Sequence, residues 1–226
     1  MIYLTGDTHI PLDVSKLNAK NFPEQKNLTR QDYVIVLGDF GLLWHKNKTY
    51  KYWLDILSKK NFTLLWLDGN HENHEWINSL PVTEWNGGRV HQIAPNIIHL
   101  MRGEVFCIDH KSIFVCGGAK SMDTEHRNQG VDWWPNEMLS YQDIHNATVN
   151  LEKVHNKVDY ILTHNCPGNI AKIMFNVPLH NDTTMAIFDI IMQDTNFKKW
   201  YFGHWHKDID YANFSCLYNR IIKLGD

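Results

Sequence analysis

The sequence predicts an α/β fold in which two mixed β-sheets pack together and helices cover their outer faces, a four-layer α/β/β/α sandwich. Apolar runs typical of buried strands alternate with amphipathic helical patterns, and short strands in the middle of the chain add more strand material than one sheet would hold. With 226 residues, 43% of them apolar, the chain can bury a large core. We therefore expect a single domain over 1–226.

The first part of the chain is expected to form parallel strands joined by a helical crossover. Apolar residues at helical spacing predict an amphipathic helix over 47–60 and a right-handed βαβ unit. The polar segment 11–30 lacks periodicity, which indicates a surface connection overhanging the strand ends. A short helix over 71–80 is expected to end at Pro81. The strands of this part are expected at 1–5, 33–37 and 63–67.

The middle of the chain changes to short strands separated by turns, which predicts a meander that is antiparallel at least in part. The segment 117–135 is long, unpatterned and dense in Asp, Glu, Arg and Trp, as is typical of functional lids. Ser140 and Asp143 predict a capping box that opens a helix through His155. Further elements are expected as meander strands at 90–93, 97–100, 105–108 and 113–115, a loop over 164–181, a helix near 182–192, and strands at 158–163, 199–203, 208–212 and 215–223.

Composition limits the partners and the compartment. A net charge of −3 gives no basic footprint for nucleic acid or an anionic membrane. The four cysteines are widely spaced without a CxxC pair, which is typical of reduced thiols in a cytosolic protein. The chain begins directly in a strand, and no apolar run reaches the roughly 18 residues of a membrane span. We therefore expect a cytoplasmic protein without membrane contact, and the oligomeric state stays open.

Side chains that bind metals or move protons follow directly after five of the expected buried strands. Ligands of open α/β sheets gather beyond the strand ends, so these sequence-distant residues are expected to share one site. The densest example is the Gly-Asn-His-Glu stretch at 69–72. The full set comprises Asp7, His9, Asp39, Asn70, His71, His164, His204 and His206.

In chain order, the Asp-x-His, Gly-Asp, Gly-Asn-His-Glu, lone His and Gly-His-x-His motifs resemble those of the calcineurin-like metallophosphoesterase superfamily, over essentially the whole chain. The resemblance implies hydrolysis of a phosphomonoester or phosphodiester by a hydroxide shared between two metal ions. It gives catalytic roles to Asp39 and His71, the latter stabilising charge or protonating the leaving oxygen. The implied ligands are Asp7, His9 and His206 for the first ion, Asn70, His164 and His204 for the second, and Asp39 as the bridge.

The ligand chemistry agrees with that implication. Mixed imidazole and carboxylate ligands suit transition metals better than Ca²⁺ or Mg²⁺, which prefer oxygen ligands. Mn²⁺ is the expected ion, with Fe, Zn²⁺ and Ni²⁺ as alternatives. A carboxylate has two oxygens and can serve two ions, which suits Asp39 to a bridging position. The adjacent Glu72 is expected either to orient His71 or to cap the following helix.

The sequence departs from the Ser/Thr protein phosphatase branch, which carries Gly-Asp-x-x-Asp-Arg-Gly where this chain has Gly-Asp-Phe-Gly-Leu-Leu-Trp at 38–44. The acidic partner of the catalytic His and the phosphate-binding Arg are both missing there, which argues against protein phosphatase activity. Two other functions stay open. A non-catalytic protein-binding scaffold of this fold would have eroded ligands, and a nuclease of the superfamily would have a basic groove.

A small phosphorylated substrate, with nucleotides among the options, is the expected partner. We expect the segment 117–135 to select it. The planar fork of Arg127 can bind two phosphate oxygens, and Trp133 or Trp134 can stack on a base. The competing interpretations are a local ion pair of Arg127 with Asp123 and a buried aromatic anchor for the loop.

Overall fold

The computed structural model describes residues 1–177 and 182–225, and it confirms the expected two-sheet α/β architecture. In chain order the strands are β1 (Ile2–Thr5), β2 (Tyr33–Leu37), β3 (Thr63–Leu67), β4 (Val82–Trp85), β5 (Gly88–Ala94), β6 (Ile97–Leu100), β7 (Glu104–Ile108), β8 (Lys111–Cys116), β9 (Tyr160–Thr163), β10 (Lys199–Phe202), β11 (Ile209–Tyr211), β12 (Phe214–Cys216) and β13 (Ile222–Lys223).

Both sheets are mixed, with parallel centres and antiparallel edges. The first sheet has the order β13-β1-β2-β3-β6-β5-β4, and the second has the order β11-β12-β10-β9-β8-β7. Strands β1, β2, β3 and β6 pair in parallel, as do β8, β9, β10 and β12. The carboxyl ends of the parallel strands in each sheet therefore point to one edge, where side chains from distant parts of the chain meet.

Alternate residues of the central strands serve two separate cores. Leu65 and Leu67 of β3 pack between the sheets, in one cluster with Leu162 of β9. Leu64 and Trp66 face the opposite way and join the cluster under the outer helix of the first sheet. Because both faces are covered, all five residues of β3 are buried, which explains why it reads as a continuous apolar run.

Polar caps fix the starts of the three longer helices. Ser140 and Asp143 form the predicted capping box, and the side chains of Asn47 and Asp182 accept hydrogen bonds from backbone amides of the first turn. No helix in the described part of the chain has the length and apolar content needed to cross a membrane. The helices are α1 (Lys48–Ser58), α2 (His74–Asn78), α3 (Tyr141–Lys153), α4 (Gly168–Phe175) and α5 (Thr183–Asp194).

Three expectations for local structure after β4 were wrong. The expected meander is divided, since β5 and β6 belong to the first sheet while β7 and β8 form a hairpin in the second. The strand expected at 215–223 is two strands in different sheets, because the Asp208 carboxylate accepts hydrogen bonds from three successive amides at 218–220 and folds them into a turn. The loop expected at 164–181 contains α4, and its residues 178–181 lie outside the described residues.

The segment 11–30 is also not a mere surface connection. It forms two short 3-10 helices and buries Leu17, Phe22 and Leu28. Lys16 is buried as well, and its ammonium group donates to the backbone carbonyl oxygens of Gly6 at 3.1 Å and Asp7 at 2.7 Å. A buried lysine thus ties this segment to the end of β1, beside the site described next.

Candidate metal centre

The strand ends bring a first group of candidate ligands together. Ligand-capable atoms of Asp7, His9, Asp39 and His206 all lie within 4.8 Å of one another. Asp7 follows β1, Asp39 follows β2, and His206 follows β10, so the group joins both sheets. The two carboxylates are buried, whereas His206 is exposed, which leaves this group open to solvent on one side.

A second group lies on the other side of Asp39. The Nε2 atom of His164 is 3.2 Å from Asn70 Oδ1 and 3.3 Å from Asp39 Oδ1. The His204 ring packs edge-on to His164 with their centroids 5.0 Å apart, and its backbone NH donates to the Asp7 carboxylate. The structure therefore brings all seven sequence-predicted metal ligands to one strand edge.

Hydrogen bonds fix which ring nitrogen of His9 and of His164 faces the centre. The Nδ1 atom of His164 lies 2.7 Å from the carbonyl oxygen of Leu37, which can only accept, so Nδ1 carries the proton. The Nδ1 atom of His9 lies 2.8 Å from an Asp13 carboxylate oxygen, with the same consequence. The Nε2 atoms of both rings then face Asp39. An imidazole held from behind by a carbonyl or carboxylate is the usual arrangement of a metal-ligating histidine.

The donor set of the centre fits cations. The Nε2 atom of His9 lies 3.2 Å from Asp39 Oδ2, whereas that of His164 lies 3.3 Å from Asp39 Oδ1. Each oxygen of this one carboxylate thus faces a ring nitrogen from a different group, and a proton or a metal ion can supply the positive charge between each pair. Mixed nitrogen and oxygen ligands of this kind suit divalent transition metals.

The pKa shifts of the buried groups also indicate a site for positive charge. Although burial favours a neutral ring, the Asp39 carboxylate raises the pKa of His164 to about 9. Burial would raise the pKa of Asp39, but the nearby His164 holds it well below its usual range. Burial lowers the pKa of His204 to about 3, with a further lowering from His164. The centre thus attracts positive charge, which either a proton on His164 or a metal ion can supply, and His204 stays neutral and able to ligate.

Four of the candidate ligands have a strained backbone. The φ angles are 34° at His9, 48° at Asp39, 68° at His204 and 48° at His206, all in the left-handed region that side-chain-bearing residues rarely adopt. Each such residue costs on the order of 1 to 3 kcal/mol and persists only where its surroundings enforce it. Their concentration at one strand edge indicates that the geometry of the site is maintained at the expense of stability.

Two glycines are required by close approach. A Cβ atom at Gly38 would collide with the His164 ring, and one at Gly69 would collide with the Asp39 carboxylate. Gly38 also has a φ of +88°, which a residue with a side chain adopts only with strain. The absence of side chains at these positions is therefore what allows the ligands of β2, β3 and β9 to converge.

A comparison with protein families shows which family the chain belongs to. The profile of the calcineurin-like phosphoesterase family matches residues 1–208. This chain belongs to the calcineurin-like phosphoesterase family. Membership supports phosphoester hydrolysis by the chain in general terms and implies divalent metal ions. The resemblance inferred from the strand-end motifs is thereby confirmed.

A comparison with solved structures matches this chain to a protein from Staphylococcus aureus assigned provisionally as a 5′-nucleotidase, solved in complex with alpha-ketoglutarate. The two share 15% sequence identity with a TM-score of 0.47, and the match covers 96% of this chain and 48% of the other. This chain thus spans about half the length of that protein. At this identity the likeness carries no information about the substrate. A search of curated proteins finds no significant match.

His71 lies between the candidate ligands and the long loop 117–135. Its backbone NH donates to Asp39 Oδ1 at 2.7 Å, and its ring packs edge-on to His9 with their centroids 5.5 Å apart. The guanidinium group of Arg127 lies against the other side, with nitrogen–nitrogen distances of 3.4 and 3.5 Å to the ring. Burial lowers the pKa of His71, and Arg127 lowers it further against the opposing effect of Asp39.

The expected helix over 71–80 was wrong at its start, and so was the role expected for Glu72. Helix α2 begins at His74 with Asn73 as its N-cap, so His71 lies in the turn before it. Asn73 and not Glu72 caps that helix, and the hydrogen bonds to the Glu72 carboxylate come from the backbone NH groups of Phe40 and Gly41. The buried carboxylate accepts the bond from Phe40 at 2.7 Å, which supports the turn after Asp39 from inside.

Sequence reasoning missed an aromatic residue of the site. The Trp44 ring lies 6.4 Å from that of His71 and 5.4 Å from that of Trp134, measured between centroids. Trp134 is only 5% exposed and meets Trp44 edge-on, so it supports that ring, whereas Trp133 is half-buried. Trp44 is the last residue of the segment that departs from the protein phosphatase pattern, and this position was its only signal in the sequence.

Proposed function

We propose that the chain is a binuclear metal-dependent phosphoesterase that hydrolyses a small phosphorylated monoester or diester. The proposal rests on the Asp39 carboxylate, whose two oxygens face different ligand groups. Its Oδ2 lies 3.2 Å from His9 Nε2, and its Oδ1 lies 3.3 Å from His164 Nε2. A single-ion site would need only one of these contacts. Two oxygens facing two separate ligand groups are what a bridging carboxylate requires.

In this proposal the ligand groups hold one ion each, and Asp39 contributes to both. Mn²⁺ is the favoured ion, and Fe, Zn²⁺ and Ni²⁺ are alternatives with the same ligand preferences. When bound, a pair of such ions withdraws negative charge from phosphoryl oxygens and makes water a stronger nucleophile near neutral pH. The first ion would be held by Asp7, His9 and His206, and the second by Asn70, His164 and His204.

His71 would act on the phosphoryl group or on the leaving oxygen. Its backbone is fixed to Asp39 and its ring is packed between His9 and Arg127, so the imidazole is preorganised next to the metal centre. A positioned imidazole can donate a hydrogen bond to a developing negative charge or transfer its proton to the leaving group. Asp39 would share the catalytic role through the ions that it holds.

The loop 117–135 would contribute to substrate selection through Arg127. The Arg127 side chain is 17% exposed and pairs with Asp123 at 2.8 Å, so the expected local ion pair is present. The same guanidinium group also contacts both ring nitrogens of His71, which places it beside the site of chemistry. Trp44, packed edge-on against the buried Trp134, would offer aromatic surface to a ring-bearing substrate, as would the half-buried Trp133 of the loop, and nucleotides are therefore among the substrates to test.

The test is a turnover comparison after metal removal. The protein is stripped of metal, reloaded with Mn²⁺, and assayed with p-nitrophenyl phosphate, its bis-ester and a nucleotide panel, with bound metal counted by elemental analysis. We expect about two ions per chain and activity that depends on both, as a two-ion phosphoesterase requires. Inactivity toward every phosphoester after reloading with two ions would contradict the proposed reaction. A single tightly bound ion would contradict the binuclear centre.

A further inference from the structure

A chain of buried hydrogen bonds connects the loop after β8 to the amide of Asn70. The Nδ2 atom of Asn70 lies 3.2 Å from Ser121 Oγ, and Ser121 Oγ lies 2.8 Å from Glu137 Oε2. The other carboxylate oxygen of Glu137 accepts from the backbone NH of Ser121 at 2.6 Å. Asn70 is 4% exposed, Ser121 3% and Glu137 1%, so water does not compete for these bonds.

The chemistry of the three groups determines the direction of each hydrogen bond. An ionised carboxylate can only accept, so the hydroxyl of Ser121 must donate to Glu137. Its oxygen then offers a lone pair to Asn70, and only the NH₂ group of the Asn70 amide can donate to that lone pair. The carbonyl oxygen Oδ1 must therefore point the other way, towards His164, from which it is 3.2 Å.

This orientation matters because the two ends of an amide differ in what they can bind. The oxygen and nitrogen ends have nearly the same shape, so packing alone does not choose between them. Only the oxygen is a useful metal ligand, since the amide nitrogen has no available lone pair. A flipped amide would present two N–H groups to the second ion position and lose one of its ligands.

Both ends of the hydrogen-bond chain are fastened to one buried arginine. Arg102 donates to the backbone carbonyl oxygens of Glu137 at 3.1 Å and Met138 at 2.9 Å. The same guanidinium group pairs with the Asp68 carboxylate, two residues before Asn70, through Nε at 2.8 Å. Glu137 is thus held at a fixed place relative to the end of β3, and its carboxylate cannot easily turn away from Ser121.

We propose that Ser121 and Glu137 are positioning residues that lock the Asn70 amide with its oxygen towards the second metal ion. The proposal deepens the proposed function and rests on it, because it takes Asn70 to be a ligand of that ion. It gives the loop after β8 a second task besides substrate selection. Polar residues that orient a metal ligand typically change metal affinity by about 10- to 100-fold when they are replaced.

The decisive variant is Glu137→Gln, which keeps the shape of the side chain and reverses its hydrogen bond with the Ser121 hydroxyl. The Ser121 backbone NH still needs an acceptor, so the introduced amide must turn its oxygen there and its NH₂ group to the Ser121 hydroxyl. The Ser121 hydroxyl proton then loses its acceptor at position 137 and regains one only if the Asn70 amide turns its oxygen towards it, which favours the flipped amide. We expect Mn²⁺ affinity at the second position to fall about 10- to 100-fold while the first position is unchanged.

Affinities are measured by Mn²⁺ titration calorimetry, and pairing of the ions by the exchange-coupled electron paramagnetic resonance signal. Glu152→Gln, at an exposed position of α3, is the matched control and should bind two ions as the wild type does. Ser121→Ala gives a second measurement if Glu137→Gln does not fold. Removing the hydroxyl leaves the Asn70 amide free to turn, and a weaker second site is again expected.

Rescue distinguishes orientation from a general structural effect. Asn70→Asp presents oxygen in either orientation, so adding it to Glu137→Gln should restore binding at the second position. The proposal is overturned if Glu137→Gln and Ser121→Ala bind both ions like the wild type, or if Asn70→Asp restores nothing. If the wild type binds one ion, or if Asn70→Ala retains both, the failure lies in the ligand assignment of the proposed function itself.

Discussion

The strand-end turns and the loop 117–135 meet at the same site but are built in opposite ways. The strand ends are held by sheet pairing and by backbone bonds such as those from Thr8 NH and His9 NH to the Asp39 carbonyl oxygen, at 3.0 and 2.8 Å. The loop contains only single turns of 3-10 helix and exposes Met122 by 62% and Val131 by 53%. Backbone bonds at Gly118 and Ala119 hold its start, and polar side chains such as Ser121 and Arg127 make further contacts.

The difference separates two kinds of contribution to the proposed reaction. A rigid strand edge can hold strained, left-handed residues in place, which a metal centre of fixed geometry requires. A loop anchored by Arg127, Ser121 and Glu137 can differ in sequence and conformation without disturbing the sheets, as is typical of segments that select substrates. We therefore expect substitutions at the strand edge to change metal content and substitutions at the loop surface to change only kinetics.

The largest effect is expected for Asp39→Ala. Both ligand groups lose the oxygen that faces them, so the variant should bind neither ion stably and lose at least about 10³-fold in activity. Elemental analysis and turnover in Mn²⁺ measure this. Asp55→Ala on the exposed face of α1 is the matched control and should leave both quantities unchanged. Full occupancy of both positions in a folded Asp39→Ala protein would contradict the bridging role.

An intermediate effect is expected for His71→Ala, which lies between the two regions. The variant should keep its metal content and lose about 10²- to 10⁴-fold in kcat, the usual range for a positioned acid. The loss should be larger for poor leaving groups than for nitrophenolate, which departs without a proton. His145→Ala, exposed on α3, serves as the control. Equal losses on both classes of substrate would show that His71 stabilises charge instead of donating a proton.

The smallest effect is expected for Arg127→Ala in the loop. Loss of a charged hydrogen bond to the substrate should lower kcat/KM by about 1.5 to 3 kcal/mol without changing metal content. Arg127→Lys keeps the charge but not the planar fork and should recover only part of the loss. Arg30→Ala, at an exposed position, is the control. If Arg127→Ala keeps full activity and only its melting temperature falls, Arg127 serves as a structural ion-pair partner of Asp123 and not in substrate binding.

The sequence predicted the strand edge well because its signals are local. A buried strand of a parallel sheet appears as an unbroken apolar run, and Asp39 or Asn70 stands directly after the glycine that ends it. Parallel topology then places such ends at one edge without further information. The two-sheet fold could be predicted for the same reason, since each run could be assigned to a strand independently of its partners.

Features that depend on tertiary contacts were beyond sequence reasoning. Asn70 and Ser121 are 51 positions apart, and nothing near either residue indicates their hydrogen bond. Lys16 is charged and lies in an unpatterned segment, so its burial against backbone carbonyl oxygens could not be foreseen. Helix α4 has only eight residues and follows Pro167, which together resemble a loop.

Anomalous diffraction at the manganese edge from crystals soaked in Mn²⁺ would locate the bound ions directly. We expect two peaks, one on either side of the Asp39 carboxylate and roughly 3.5 to 4 Å apart. One peak should be bordered by His9 and the other by His164. A single peak, or two peaks that do not share Asp39, would contradict the binuclear centre on which the proposed function depends.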